Sequence, residues 1–243
     1  MFDLTKKTVL ITGSSQGIGK SIAKFLAKNG AKVYIHGSSS AEKCQNVADE
    51  IGGDAKIAVA DLSLDGCAEN LYRQTGDVDI LVLNASVQYR KAWNEITGEE
   101  FDRQVRVNLK TSLELIQKYT PHMQSQKWGR IVTVGSIQQY KPHKDMAVYA
   151  ATKCAQMSLV KSLAKQLAPD GITVNNISPG VIGTPRNKQA LSNKEYREHI
   201  LQNIPLGYEG SAEDCAGAVL LMCSEAGRYI TGTDLIIDGG MHL

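Results

Sequence analysis

A chain of 243 residues with 42% hydrophobic and 21% charged residues has the composition of an ordinary globular protein with a substantial core. Its 27 Lys and Arg against 25 Asp and Glu leave a net charge of +2, and no Lys/Arg run exceeds two residues, so the charge points to neither a nucleic acid nor a membrane surface as partner. Five cysteines, an odd number without a CxxC pair, suit scattered reduced thiols rather than a disulfide framework.

The first apolar run, Thr8–Thr12, is shorter than the roughly 7–15 residues of a signal sequence or the ~20 of a membrane span, so a cytoplasmic protein is expected. It is the first of the strand candidates, followed by Lys32–His36, Lys56–Ala60, Ile80–Leu83, Arg130–Gly135, Thr173–Ile177 and Asp234–Asp238. Ile80-Leu81-Val82-Leu83 is apolar throughout, as a strand buried on both faces is. Between them fall helix patterns at Ile18–Asn29, Ala41–Ile51, Leu64–Thr75, Glu99–Gln124, Val148–Ala168, Lys188–Asn203 and Ala212–Cys223. This alternation predicts an α/β fold, a parallel sheet with helices on both faces. Gly30 and Pro169-Asp170-Gly171 supply helix stop signals, and Cys154 is expected to pack within its helix. No linker or repeat divides residues 1–243, which implies a single domain; the stretch 183–210, with Pro185 and Pro205 inside it, is expected to cover a site.

Thr12-Gly13-Ser14-Ser15-Gln16-Gly17-Ile18-Gly19 joins the first strand to the first helix. Gly13 permits a sharp exit from the strand, Gly17 lets backbone approach a pyrophosphate, and Gly19 permits close helix–sheet packing. The helix N-terminus then offers free N–H groups to phosphate. A strand before and an amphipathic helix after give this glycine triplet the context of a dinucleotide site.

Tyr149-Ala150-Ala151-Thr152-Lys153 places a phenol and an ammonium at i and i+4, on one helical face. A nearby cation lowers the pKa of a phenol, which otherwise lies at about 10, and so lets it exchange a proton with an alcohol or carbonyl oxygen. Ser136 follows the fifth strand, where a hydroxyl can donate to a carbonyl oxygen. No His cluster has metal spacing, no nucleophile elbow surrounds a serine, and Trp93 and Trp128 lack aromatic neighbours for stacking bases.

With the T-G-x-x-x-G-x-G turn the chain resembles the short-chain dehydrogenase/reductase family, in its short single-domain subgroup, from Lys6 to Leu243. The resemblance implies a Rossmann-type doubly wound sheet of seven parallel strands in the order 3-2-1-4-5-6-7. It implies a nicotinamide-dependent enzyme acting on CH–OH groups, with Asn108, Ser136, Tyr149 and Lys153 catalytic and Tyr149 the general acid/base. Ser136 stands at the family's interval, 13 residues before Tyr149, and Asn108 would hold a water linking Lys153 to solvent.

For the cofactor, the resemblance implies contacts from Thr12, Gly13, Ser15, Gln16, Gly17, Ile18 and Gly19. Asp61 and Leu62 would meet the adenine, although Asp61 can equally be a helix cap or a solvated loop acid. Leu83-Asn84-Ala85-Ser86 stands where the family has Asn-Asn-Ala-Gly, so Asn84 and Ala85 would support the ribose while Ser86 adds a side chain near the nicotinamide. Pro179-Gly180-Val181-Ile182-Gly183-Thr184 matches a segment whose Ile182 backbone and Thr184 hydroxyl would hold the carboxamide. An acid selecting NAD would align with Gly37, but residues 36–40 contain none. Ser38, Ser39 and Ser40 can hydrogen-bond a 2′-phosphate, with His36 and Lys43 as basic substitutes, so NADP is expected ahead of NAD; alternatively the serines cap the helix at Ala41.

The loops that would select the substrate carry Gln88, Tyr89, Arg90, Gln138, Gln139, Tyr140, Lys141, His143 and Arg186, a set suited to a sugar acid, a polyol or a 3-oxoacyl thioester. Gly129-Arg130-Ile131-Val132, Gly171-Ile172-Thr173-Val174-Asn175 and the ending Thr231–Gly240 resemble the 3-oxoacyl-(acyl-carrier-protein) reductases, and sugar and polyol dehydrogenases share these motifs. Lys127 is placed for carrier docking, whereas Asp170 is acidic where that subgroup has a base. Family membership also implies a homotetramer or homodimer paired through Glu99–Gln124 and Val148–Ala168. The alternative from another class is a non-catalytic dinucleotide-binding redox sensor.

Overall fold

The computed structural model describes the backbone of residues 1–243 and the side chains of all but Gln189 and Ala190. Strands β1 (Thr8–Ile11), β2 (Lys32–Gly37), β3 (Lys56–Val59), β4 (Ile80–Leu83), β5 (Gly129–Val134), β6 (Ile172–Pro179) and β7 (Asp234–Ile237) form one sheet in the order β3-β2-β1-β4-β5-β6-β7. All neighbouring pairs run parallel, as the sequence alternation predicts. The helices are α1 (Gly17–Lys28), α2 (Ala41–Ile51), α3 (Cys67–Thr75), α4 (Gly98–Val105), α5 (Thr111–Ser125), α6 (Ala147–Leu167), α7 (Lys188–Ser192), α8 (Lys194–Gln202) and α9 (Ala212–Cys223).

The period-two alternation of each strand divides the core between two faces. Val9, Ile11, Val33, Ile35, Val82 and Val132 face one layer with Ile22 and Leu26 of α1, Val47 of α2 and Val219 of α9. Leu10, Leu81, Leu83, Ile131 and Val174 face the other, with Leu71 of α3, Leu115 and Tyr119 of α5 and Val160 of α6. Strand order reverses between β1 and β4, which opens a crevice at the carboxyl ends of the strands.

The structure refines three predicted helices. The pattern from Leu64 becomes helical only at Cys67, after Gly66 in a left-handed conformation. The long pattern Glu99–Gln124 is interrupted by a π-turn, Arg106–Lys110, between α4 and α5. Lys188–Asn203 divides because the Asn193 side chain accepts from the Tyr196 N–H and starts a new helix. Cys154 is exposed on α6 rather than packed, while Cys44, Cys67, Cys215 and Cys223 are buried.

After α6, Gly171 turns the chain into β6 at φ +72°, with the Lys127 carbonyl in the space a side chain would take. A Cβ there would lie 2.2 Å from that oxygen and would demand a left-handed conformation of an L-residue. Gly171→Ala should therefore destabilise the fold by roughly 2 kcal/mol or more, read as a lower denaturation midpoint with unchanged m-value.

Candidate active site

The turn after β1 is held from behind. The Thr12 hydroxyl accepts from the backbone N–H groups of Asn84 and Ala85, both at 3.0 Å. The Asn84 amide donates to the carbonyls of Thr12 at 2.9 Å and Gly13 at 3.0 Å. Gly19 leaves room for that amide, because a Cβ would lie 2.5 Å from Asn84 Nδ2. At Gly17 the chain takes φ +57°, and a Cβ would sit 3.6 Å from Thr184, so glycine keeps this side of the crevice clear. Thr12, Gly19 and Asn84 thus shape the turn, a use of Asn84 that precedes any contact with a ribose.

His36 acts in the same assembly. Its Nδ1 accepts from the Gly13 N–H at 2.9 Å, so Nε2 carries the proton and donates to the Ala60 carbonyl at 3.0 Å. Burial pushes its pKa down to about 4, against the opposing pull of the Ala60 carbonyl and Asp61. A neutral, buried ring supplies no charge to a 2′-phosphate, which corrects that sequence-based expectation.

The turn opens into a cleft of about 1090 Å³ along the carboxyl ends of the strands. Gly13, Ser15, Gln16, Gly17, Ile18, Gly37, Ser38, Asp61, Leu62, Asn84, Ala85, Pro179, Gly180, Ile182 and Thr184 line it. Thr12 and Gly19 lie behind this surface, and Ser39 is outside the lining. Ser40 caps α2 through Lys43 N–H, so one of the three serines takes the capping role. A Cβ at Gly37 would lie 2.6 Å from Cys44 Sγ, so any side chain there would have to displace this buried thiol. Asp61 Oδ1 accepts from the backbone N–H and the hydroxyl of Ser63, at 2.8 and 2.7 Å. The backbone bond first, with the hydroxyl, Arg103 and His36 adding to it against burial, holds its pKa below the usual range. The first turn of α1 carries no acid, leaving its N-terminus free to face phosphate. Length, clear backbone and donor set fit a dinucleotide.

At the other end of the cleft, Tyr149 and Lys153 of α6 are buried, 6% and 1% exposed. Lys153 Nζ lies 5.6 Å from the Tyr149 ring centre and donates to the Val134 carbonyl at 2.7 Å and to Gln156 Oε1 at 3.1 Å. Burial, reinforced by the charge of Arg186, lowers the Lys153 pKa to about 7. Burial raises that of Tyr149, opposed by the Arg186 charge and by hydrogen bonds with Ser136, Ser86 and Arg186. Ser136 Oγ also accepts from the Gln138 N–H at 3.2 Å. Asn108 lies in the π-turn; its amide donates to the Val87 carbonyl at 2.9 Å and to Thr152 Oγ1 at 3.1 Å, and its oxygen accepts from Val87 N–H at 2.8 Å. Its side chain therefore ties the segment after β4 to α6.

Sequence reasoning places Arg186 among the substrate-selecting residues and Ser86 near the nicotinamide; it misses Gln156 beside Lys153 and the Arg186 charge acting on Tyr149. Gln156 stands at i+3 from Lys153, a spacing that brings side chains together on a helix. Arg186 and Ser86 are 100 positions apart and meet only through the fold.

A family model described as enoyl-(acyl carrier protein) reductase matches residues 13–242. The chain belongs to the short-chain dehydrogenase/reductase family. This member is 37% identical over 241 residues to the 3-oxoacyl-[acyl-carrier-protein] reductase FabG of Rickettsia prowazekii, with 99% of each chain covered. Among solved structures, the 3-oxoacyl (acyl-carrier-protein) reductase of Agrobacterium tumefaciens with NADP bound matches at TM-score 0.94 and 36% identity, over 98% of this chain and 95% of that one. The gluconate 5-dehydrogenase of Burkholderia cenocepacia in complex with NADP and tartrate matches at TM-score 0.91 and 30% identity, over 99% and 96%. This short-chain dehydrogenase/reductase is thus an NAD(P)-dependent oxidoreductase, with the sheet order that the resemblance implied.

The buried His36 makes a signed prediction. Its folded pKa of about 4 lies below the ordinary 6.5, so its stabilising contribution is complete above pH 6.5 and is lost as pH falls toward 4. The loss should reach about 3 kcal/mol, and urea titrations across this window should show a shallower decline in His36→Gln than in the natural protein.

Proposed function

We propose that this chain interconverts a carbonyl and a secondary alcohol with NADP(H), Tyr149 being the general acid/base. The observation that carries this reading is that the buried Tyr149 and Ser136 line one end of a cleft whose other end is a glycine turn on a helix N-terminus. The cofactor, when bound, supplies or accepts the hydride. Tyr149 Oη gives its proton to the carbonyl oxygen in reduction and takes one from the hydroxyl in oxidation. Ser136 accepts from Gln138 N–H, which leaves its own proton for the same substrate oxygen. Lys153, with a pKa of about 7, gains or loses a proton near neutrality behind Tyr149. Asn108 keeps Val87 and α6 in register around the pair.

Thr12, Gly13, Ser15, Gln16, Gly17, Ile18 and Gly19 form the phosphate cradle in this reading. Asp61 and Leu62 meet the adenine, Asn84 and Ala85 the ribose, and Pro179, Gly180, Ile182 and Thr184 the carboxamide. The NADP-bound relative from Agrobacterium tumefaciens supports NADP over NAD, as does Gly37, where Cys44 leaves no room for an acid. Ser38 then faces the 2′-phosphate, with Ser39 beside it. Segment 183–210 covers the substrate, a role supported by Leu191, Tyr196, His199 and Ile200 in the cleft lining. Copies associate as a homotetramer or homodimer through the α4–α5 and α6 faces, where Phe101 is exposed.

The substrate is a sugar acid, a polyol or a 3-oxoacyl thioester. The curated relatives favour the thioester, but Lys127, the expected docking cation for a carrier protein, is paired with Asp170 at 2.5 Å. That pairing supports a small free substrate.

Tyr149→Phe should lower kcat by at least about 100-fold while the Kd for NADPH, followed by fluorescence titration, changes less than about threefold. Turnover at the natural rate would overturn the assignment, and cofactor binding without turnover of any carbonyl in the natural protein would favour the redox-sensor alternative. Because burial holds the Tyr149 proton on, oxidation should rise with pH and reduction should fall, as seen in initial rates in both directions. Ser38→Asp should raise KM for NADPH at least about tenfold and leave KM for NADH nearly unchanged.

A further inference from the structure

Ser86 stands where the family's glycine is expected, and the structure gives it a partner. Arg186, in the turn after β6, donates from one terminal nitrogen to Ser86 Oγ at 3.0 Å and from the other to the Ser86 carbonyl at 2.8 Å. The same guanidinium lines the cleft with Tyr149, and its charge opposes the rise of the Tyr149 pKa. A cation is thus held beside the general acid by a neutral anchor, and a neutral anchor leaves its charge uncompensated. Guanidinium carries five N–H donors in a planar fork, of which Ser86 occupies two, so donors remain for a ligand.

The surroundings have the same sign. Arg90 and Lys141 line this end of the cleft with Arg186, and His143 between them is held toward its neutral form by burial and by the Arg90 charge. Among the described residues of the lining, Asp61 is the one carboxylate, and it lies at the far end beyond β3. Arg90 spends its contacts on His143 and the Tyr196 ring, and Lys141 on the Met241 carbonyl, so neither charge is cancelled there by an acid. A cleft lined by one sign of charge raises the local concentration of the opposite ion.

We propose that Arg186, held by Ser86, is the substrate-anchoring residue of this enzyme and that it selects substrates bearing a carboxylate next to the reacting carbon, as in keto acids, hydroxy acids and sugar acids. This rests on the oxidoreductase reading above and deepens it. The fork geometry of guanidinium matches the two oxygens of a carboxylate, which brings two charge-assisted hydrogen bonds to one group. Tyr149 and Arg186 line the same cleft, so a carboxylate on Arg186 brings a neighbouring carbon–oxygen group toward the Tyr149 hydroxyl. A hydroxylated neutral substrate gains nothing from this arrangement.

The test uses the full chain saturated with NADP. Calorimetric binding of tartrate is compared with that of its dimethyl ester, in the natural protein and in Arg186→Gln, Arg186→Lys and Ser86→Gly. Tartrate should bind the natural protein at least about tenfold more tightly than the ester, and Arg186→Gln should erase the difference by weakening tartrate about 10- to 100-fold. Arg186→Lys, which keeps the charge without the fork, should recover part of the loss, and Ser86→Gly should fall between the natural protein and Arg186→Gln. Equal affinity for acid and ester, or equal weakening of both in Arg186→Gln, overturns the proposal. In parallel, initial rates on a hydroxy acid and its methyl ester should show Arg186→Gln raising KM for the acid alone. Turnover of both without preference sinks the carboxylate anchor and leaves the oxidoreductase reading intact. Tartrate binding through Arg186 with no turnover of any alcohol sinks the latter and leaves the anchor.

Discussion

The hydrogen bonds that join the ends of β1 and β4 set the position of everything else in the cleft. Two strands leave the sheet at the point where its order reverses, and their backbones must stay close without a ladder to hold them. The Asn84 amide and the Thr12 hydroxyl replace that ladder, each making two bonds to the other strand's backbone. His36 closes the assembly from β2 by accepting from Gly13 and donating to Ala60. These groups are buried or half-buried, where an unpaired partner costs more than a bond returns. The glycine turn is therefore preorganised before any phosphate reaches it.

At the reacting end the same economy of burial acts on charge. Tyr149 and Lys153 are both shielded from water, and burial favours the neutral form of each. Phenol stays protonated and amine loses affinity for its proton, so two groups of nearly equal proton affinity in water are set apart, the phenol holding its proton more tightly than the amine. Arg186 works on both from the solvent side: it lowers the tyrosine and the lysine together. Three residues from two segments thus share a field that none of them sets alone.

Much of this was legible from the order of residues. The strands were readable because β-branched and apolar runs buried on both faces look alike wherever they occur, and Ile80–Leu83 was placed to the residue. The glycine turn and the Tyr149–Lys153 pair were readable because their geometry is local: a turn, or one helical repeat. What periodicity could not show depended on distant partners. The π-turn holds Asn108, whose side chain bonds to Val87 and Thr152, 21 and 44 positions away. His36 looked like a charge for phosphate until its two ring nitrogens were found committed to backbone. Ser86 reads from the sequence only as an added side chain near the nicotinamide, because its partner Arg186 comes from the other half of the chain.

The contact between Gly37 and Cys44 bears on how cofactor choice can drift. An acid at Gly37 would press its Cβ against the Cys44 sulfur at 2.6 Å, in a site where that thiol is fully buried under β2. A single exchange at either position meets an obstacle: a clash in one order, a void in the other. The two sites are epistatic through sterics, and a lineage of this chain would reach an acidic selector at Gly37 only by a paired route in which the sulfur shrinks first or both change together.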